Sequence, residues 1–361
     1  MARNKKLLIL LSLTLVFIMV LTGCGNKSEV GENKGSVEGT TEGGAKAPSD
    51  DNWPVNPIRL VLPVAPGGLL DVGIRQMQPY LEKELGVPLV IDNRPGGQSL
   101  LMANMVAEAE PDGYTLGNLG MPHTEISFAM LDTDIGVDSY DYICVNQADI
   151  GIIRVHKDSE FQTFEDFIKY AVDHPGEIST SVSEMLAPHA FYMYQLGKLL
   201  GTEFTIVDFG GGSPARMALV GKHVDCSCTN VHGSLHVAED TKVLAVCHDT
   251  NNWPELTDNA PTVNEVLEKL YGVTAPNMGA YYGFIAPKGL KEKYPERFEK
   301  IYKAFETVVH DPEYLEGLKE LKEDTKVVWM NSEEMEELVR SNYEMYLELK
   351  DEYEGIHDTS K

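Results

Sequence analysis

"LVLPVAPGGLLD", residues 60 to 71, carries the reading of the fold. Leu60, Val61 and Leu62 form the apolar run that a buried strand presents. The run meets Pro63 and Pro66, loses its side chains at Gly67 and Gly68, and passes into a helical pattern from Asp71. Glycines at a strand-to-helix turn let a ligand approach the backbone closely, and the first N–H groups of the helix then face it. One such turn alone also occurs in α/β proteins that bind nothing there.

Outward from this turn, short apolar runs and helical patterns alternate. The pattern predicts strands over 58–64, 89–92, 114–119, 150–156, 177–183, 204–209, 224–229, 243–247 and 283–286. It predicts helices over 71–85, 100–109, 163–174, 189–200, 214–220 and 263–270, and three more near 295–311, 312–322 and 332–353. Alternation of this kind means parallel α/β sheets. No repeat of fixed period is present. The last three helices are too many for one sheet to use locally, so the chain is expected to return across the first domain. That gives one lobe from 53–150 with 278–361, a second from 151–277, and connecting strands that act as a hinge.

The N-terminus speaks about location. Arg3, Lys5 and Lys6 precede an apolar stretch from Leu7 to Leu21, then "LTGC". A basic n-region followed by an h-region shorter than a spanning helix is a secretory signal. Residues 21–24 resemble the bacterial lipobox, which implies cleavage before Cys24, lipidation of Cys24, and anchoring at the extracytoplasmic face of the cell membrane. An uncleaved anchor is the alternative. Residues 25–52 hold six glycines and no aromatic residue, the composition of a flexible tether. Without residues 1–23, 27 Lys+Arg face 56 Asp+Glu, a net charge of −29. That acidity disfavours nucleic acid as a partner and long-range steering of an anion, so an acidic ligand must be captured by local geometry. Four cysteines follow Cys24, namely Cys144, Cys226, Cys228 and Cys247, with no spacing that compels a disulfide.

Two further turns share the design of the first. "FGGGSPARMAL" places Gly210, Gly211 and Gly212 before Ser213 and Pro214, which read as N-cap and first helical residue. "STSVSEMLAPHAF" places Pro188 at the start of a helix that continues from His189. Helix N-termini bind anions without Lys or Arg, and several converging would hold a carboxylate. Neither glycine turn is GxxxxGK[ST], and neither fits a dinucleotide fingerprint.

At this point a resemblance enters. "WPVNPIRLVLPVAPGGLLDVGIRQMQPYLEKELGVPLVIDNRPGG" is similar to the opening of the substrate-binding receptors of tripartite tricarboxylate transporters, the Bug-type proteins. "PDGYTLG", "HPGEIS", "FGGGSPARMALVGKHVD", "KVLAV", "APTVNEV" and "YYGFIAP" follow in order, and the similarity covers about 53–345. It implies a two-lobed periplasmic-binding-protein (Venus-flytrap) fold, each lobe a mainly parallel sheet flanked by helices. It also implies a cleft that grips a carboxylate-bearing small molecule through backbone groups and waters, and membrane permease subunits as partners. Ala65, Gly67, Gly68 and Asp71 fall on the family's first ligand loop, and Gly211, Gly212, Ser213 and Pro214 on its later one. The middle loop departs, with Met185 and Leu186 where a glycine-serine pair is usual before His189. Ser181 and Ser183 are the candidate replacements for the missing hydroxyl. Leu69 stands where smaller residues are usual, which suits a ligand with an apolar part. Arg216 stands where an apolar residue is common, and pairs either with a second carboxylate or in a surface salt bridge.

"CSCTNVHGSLH" offers zinc-type ligands in Cys226, Cys228, His232 and His236, but Cys226 and Cys228 alternate on an expected strand as small core residues. No GxSxG or HExxH motif supports a hydrolase. The reading is a monomeric receptor without cofactor or catalytic residues that delivers its solute to a transporter, the alternatives being a ligand-presenting partner of a sensor kinase or a secreted hydrolase.

Overall fold

The computed structural model describes residues 52–67, 69–321, 323–351 and 353, and for Leu69 the backbone only. The signal segment, Cys24, the tether up to residue 51, and Gly68 lie outside the described residues. The chain runs β1 (Ile58–Leu62), α1 (Leu69–Leu85), β2 (Leu89–Asn93), α2 (Leu100–Ala107), β3 (Thr115–Met121), α3 (His123–Met130) and β4 (Tyr140–His156). It continues with α4 (Phe164–Asp173), β5 (Ser179–Val182), α5 (Pro188–Leu200), β6 (Thr205–Asp208), α6 (Gly212–Val220), β7 (Cys226–Asn230) and β8 (Thr241–Val246). It ends with α7 (Val263–Tyr271), β9 (Gly279–Pro287), α8 (Leu290–Lys293), α9 (Pro295–Val309), α10 (Pro312–Glu320), β10 (Val327–Met330) and α11 (Ser332–Glu348).

Local chemistry explains most boundaries. The Thr163 hydroxyl accepts from the Asp166 N–H at 3.1 Å to start α4, whose buried stripe is Phe164, Phe167, Ile168 and Ala171. Thr262 with Glu265, and Asn331 with Glu334, form reciprocal capping boxes for α7 and α11. Gly201 and Gly272 close α5 and α7 in the left-handed conformation, at φ 66° and 67°.

The sheet order is β2-β1-β3-β9-β4-β7-β5-β6, with β8 and β10 also on β4. Its flanks are parallel, β2-β1-β3 on one side and β7-β5-β6 on the other. Its middle is antiparallel, because β9 returns from the far side and pairs with both β3 and β4. The sheets are therefore mixed, and the parallel character expected from strand-helix alternation holds where each strand is followed by its own crossover helix. β4 is one strand of 17 residues and belongs to both portions: its first part pairs with β9 and β10, its last with β7 and β8. At about 3.3 Å per residue it is the longest rod in the molecule, roughly 55 Å.

Separate cores pack on the two portions. α1, α9 and α10 cover one face of the first around Leu60, Leu62, Phe284, Ile301 and Phe305, while α2 and α11 cover the other around Val61, Met102, Tyr140 and Met335. The second portion packs Ile153, Phe164, Phe167, Tyr192 and Leu196. A smaller cluster joins them: Leu186 and Phe191 from the second portion meet Ile126, Tyr346 and Tyr353 from α3 and the C-terminal segment.

Several features lie outside the sequence-based expectation. β4 begins ten residues before residue 150, at Tyr140, and α3, α8 and β10 fall where no element is predicted. Residues Thr124–Met130 of α3 are all buried, so they lack the polar stripe by which an amphipathic helix shows itself.

Candidate functional site

A cleft of about 530 Å³ opens at the carboxyl ends of β1, β5 and β7, beside the midpoint of β4. Crevices at this end of α/β strands gather the N-termini of the following helices. Gly67 and Val72 line it from the first turn, Ser183 and His189 from the middle one, and Gly212, Ala215 and Arg216 from the third. Thus each of the three expected turns contributes to a single cavity.

The first turn is tied together from within. The Asp71 carboxylate accepts from the Gly67 N–H at 2.8 Å, from Asn93 Nδ2 at 2.9 Å and from Arg75, whose guanidinium also forms an ion pair at 2.9 Å. Asn93 Nδ2 reaches the Val64 carbonyl as well, at 3.0 Å. The Arg75 hydrogen bond, helped by those of Gly67 and Asn93, outweighs burial and pulls the Asp71 carboxyl down to about 2. Asp71 is therefore a permanent anion that fixes the loop, and the amide of Gly67 is already engaged by it. Gly67 itself sits at φ +80°, where a side chain is strained. Ala65 is exposed and outside the cleft lining.

In the middle turn, Ser181 is fully buried and its hydroxyl donates to the Ala215 carbonyl at 2.9 Å, joining β5 to α6 instead of facing the cleft. Ser183 does face it. His189 pairs through Nε2 with Asn230 Oδ1 at 2.9 Å, and burial pushes its imidazole down to about 4, so it is neutral at physiological pH. The divergent pair Met185-Leu186 has a packing use. Leu186 enters the joining cluster, and the Met185 carbonyl accepts from the Tyr353 hydroxyl.

In the third turn the helix starts earlier than its Ser-Pro signal suggests. Gly211 is the N-cap, its carbonyl accepting the Ala215 N–H at 3.2 Å, and Gly212 is the first helical residue. Ser213 and Pro214 are exposed in the first turn and are not in the cleft lining. Arg216 bends back over that turn: a Cβ built on Gly212 would lie 2.8 Å from its Nη1.

Sequence reasoning missed the cleft's other wall. Asp149, at the middle of β4, accepts from the His232 N–H at 3.0 Å, from His232 Nδ1 at 3.1 Å and from the Gly233 N–H at 3.1 Å. It thereby caps the 3₁₀ segment His232–Asp240. His232 Nε2 lies 2.9 Å from the Thr325 hydroxyl, across the molecule. Thr229, Asn230, Tyr282 and Glu323 also line it, as do Cys228 and His236 from the zinc-type cluster, and Glu323 is paired to Lys326 at 2.8 Å. These residues come from five separate segments and carry no local spacing that would mark them as one wall.

The zinc-type side chains do not converge. Cys226 and Cys228 are buried in the second core, and no group of three or more metal-ligating side chains occurs among the described residues. The four described cysteines are free and buried.

A mixed α/β sheet in two portions sharing one through-strand, with its cleft where helix N-termini meet, is the fold of periplasmic solute-binding proteins. Its structural neighbours include a Rhodopseudomonas palustris protein with adipate, at TM-score 0.70 and 22% identity over 84% of this chain and 98% of that one. MatC from the same species with bound malate aligns at TM-score 0.67 and 21% identity, over 82% and 100% of the chains. BugD, a periplasmic binding protein, aligns at TM-score 0.67 and 22% identity, over 83% and 98%. Residues 74–349 match the model of the tripartite tricarboxylate transporter family receptor, and the chain belongs to that family. Its members are solute-binding receptors and not enzymes. Among curated relatives, a UPF0065 protein from the gbd 5′ region of Cupriavidus necator is 29% identical over 79% of this chain and 83% of its own length. BugT of Bordetella pertussis is 24% identical over 70% of this chain and 77% of its own length.

Proposed function

We propose that this protein is a lipid-anchored, extracytoplasmic receptor that captures a carboxylate-bearing small molecule and delivers it to the membrane permease subunits of a tripartite tricarboxylate-type transporter. The observation that carries the reading is convergence: Gly67, Ser183 and Gly212, from three separate strand-to-helix turns, line one cleft. A carboxylate seated there bonds to both portions of the sheet at once, which biases a hinged molecule toward closure. The lobes are 53–150 with 278–361, and 151–277, and the shared strand β4 with the start of β9 forms the hinge. The ligand-contacting set is Gly67, Gly68, Ser183, His189, Gly211, Gly212 and Arg216, with Ala65, Leu69, Ser213 and Pro214 at the rim and Asp71 and Ser181 holding the loops. Solved relatives of the same fold carry malate and adipate. The lipobox-like Leu21–Cys24 supplies the anchor, and no helix of the described residues is long and apolar enough to cross a membrane.

Titration calorimetry of the purified chain lacking residues 1–23 against di- and tricarboxylates, aromatic acids and acidic amino acids tests this. One-to-one, reversible binding without turnover, lost in Gly67→Val, is the expected result. Absence of binding to every acid, or conversion of a ligand to product, would refute it.

A further inference from the structure

Among the ionisable side chains lining the cleft, Arg216 stands apart. Its guanidinium is partly buried, its Nε is fully covered, and it has no hydrogen-bond or ion-pair partner among the described residues. In a chain with 56 acidic against 30 basic residues, a partly buried arginine that feels the Asp149 charge but forms no ion pair with it asks for a cause. The two acids lining the cleft already have partners. Asp149 accepts from three donors of His232 and Gly233, and Glu323 is paired with Lys326. A second arginine, Arg154, lies outside the cleft lining, is 1% exposed and donates from its side chain to the Thr241 hydroxyl at 2.7 Å. Both arginines act on His236, whose imidazole is lowered first by burial and then by their charges.

Two glycines make the placement of Arg216 possible. Gly212 lies beneath its Nη1, where a Cβ would come within 2.8 Å, and Gly233 approaches the same nitrogen, its added Cβ at 3.8 Å. The guanidinium is thus seated over the first turn of α6 and beside the start of the 3₁₀ segment, two places whose backbone N–H groups also attract anions.

We infer that Arg216, seated on Gly212, is a second anion subsite that makes this receptor selective for solutes carrying two anionic groups over otherwise identical solutes carrying one. The inference rests on the carboxylate-receptor reading above and adds to it the selecting residue. One carboxylate occupies the turns around Gly67 and Ser183, and the other meets the guanidinium, bidentate in geometry. A mono-acid enclosed in the same cleft would strip water from an arginine that gains nothing in exchange, and an uncompensated buried charge is costly. Selection therefore comes as much from rejection of the mono-acid as from attraction of the diacid.

The test is calorimetry on α,ω-diacids of four to eight carbons, each paired with the mono-acid of equal length (succinate with butyrate, adipate with hexanoate). Wild-type protein is expected to bind at least one diacid thirtyfold or more tightly than its mono-acid. In Arg216→Met, with an unchanged melting temperature, that ratio falls below threefold, and in Arg216→Lys it recovers in part. Gly212→Ala, which keeps the charge but displaces the guanidinium, lowers the ratio by about tenfold. Equal affinity for both members of every pair in wild type, or a ratio that survives Arg216→Met, overturns the subsite while leaving the carboxylate receptor intact. Failure of every acid to bind folded wild-type protein overturns both.

Discussion

Asp71 shows how a single side chain prepares a binding loop. Its three donors come from the turn, the helix and the neighbouring strand β2, so removing the carboxylate frees Gly67, Asn93 and Arg75 together. Asp71→Ala is expected to cost about 1–3 kcal/mol in urea unfolding and to weaken ligand binding by calorimetry, because the first loop loses several charge-assisted hydrogen bonds at once. The carboxyl stands well below its ordinary value, so its stabilisation is present at neutral pH and fades only as pH falls toward about 2. Glu125 is the opposite case. It is fully buried in the first turn of α3, with Asn342 Nδ2 at 3.4 Å and its other oxygen unpartnered. Burial raises its carboxyl to about 8. In the unfolded chain it ionises near 4.5, so folding stability attributable to it declines as pH rises from about 4.5 through 8. Glu125→Gln is expected to match wild type at pH 4 and to melt progressively higher than wild type between pH 5 and 8, as scanned by calorimetry.

At the scale of elements, β4 does what no helix among the described residues does: it passes unbroken through both portions of the sheet. Its crossing point is Gly151, whose N–H donates to the Met278 carbonyl at 2.8 Å and whose carbonyl accepts from the Cys247 N–H at 2.8 Å. A Cβ there would lie 2.9 Å from the Met278 carbonyl and closer still to its side chain. Gly151→Val is therefore expected to destabilise the protein by about 2 kcal/mol or more in chemical denaturation, since backbone on one side leaves nothing to yield. The helices, by contrast, were legible from short signals. Asp311 before Pro312, and Thr262 three residues before Glu265, mark helix starts that the structure keeps, because a cap needs only a few neighbouring residues. The Ser213-Pro214 signal misled by two residues because Gly211 lets the chain turn into the helix sooner.

For the whole molecule, contacts between the two portions of the sheet differ in kind from place to place. Away from the cleft, Phe191 stacks on Tyr353 with ring centroids 3.7 Å apart and meets Tyr346 edge-on at 5.0 Å. At the cleft, polar contacts join the portions, His232 meeting Thr325 as well as Asp149. An apolar joint on one side and breakable hydrogen bonds on the other suit opening about the packed side, in line with the proposed function. Two outcomes follow in small-angle scattering: saturating ligand reduces the radius of gyration of wild type, and Phe191→Ala increases that of the unliganded protein. The same variant should lose about 3 kcal/mol in denaturation, as a large aromatic removed from a packed cluster does.

The sequence alone was enough for the α/β class, the three strand-to-helix turns, most strands and helices, and the family pattern, because each rests on residues within a dozen positions of one another. It could not assign Asp149, Tyr282 or Glu323 to the cleft, separate the buried Ser181 from the open Ser183, or show that Asp71 ties the first loop together. Those facts depend on which distant segments the mixed sheet brings face to face. The single strand β4, paired with partners more than a hundred residues away, decides that juxtaposition, and pairing at such separation leaves no local mark in the chain.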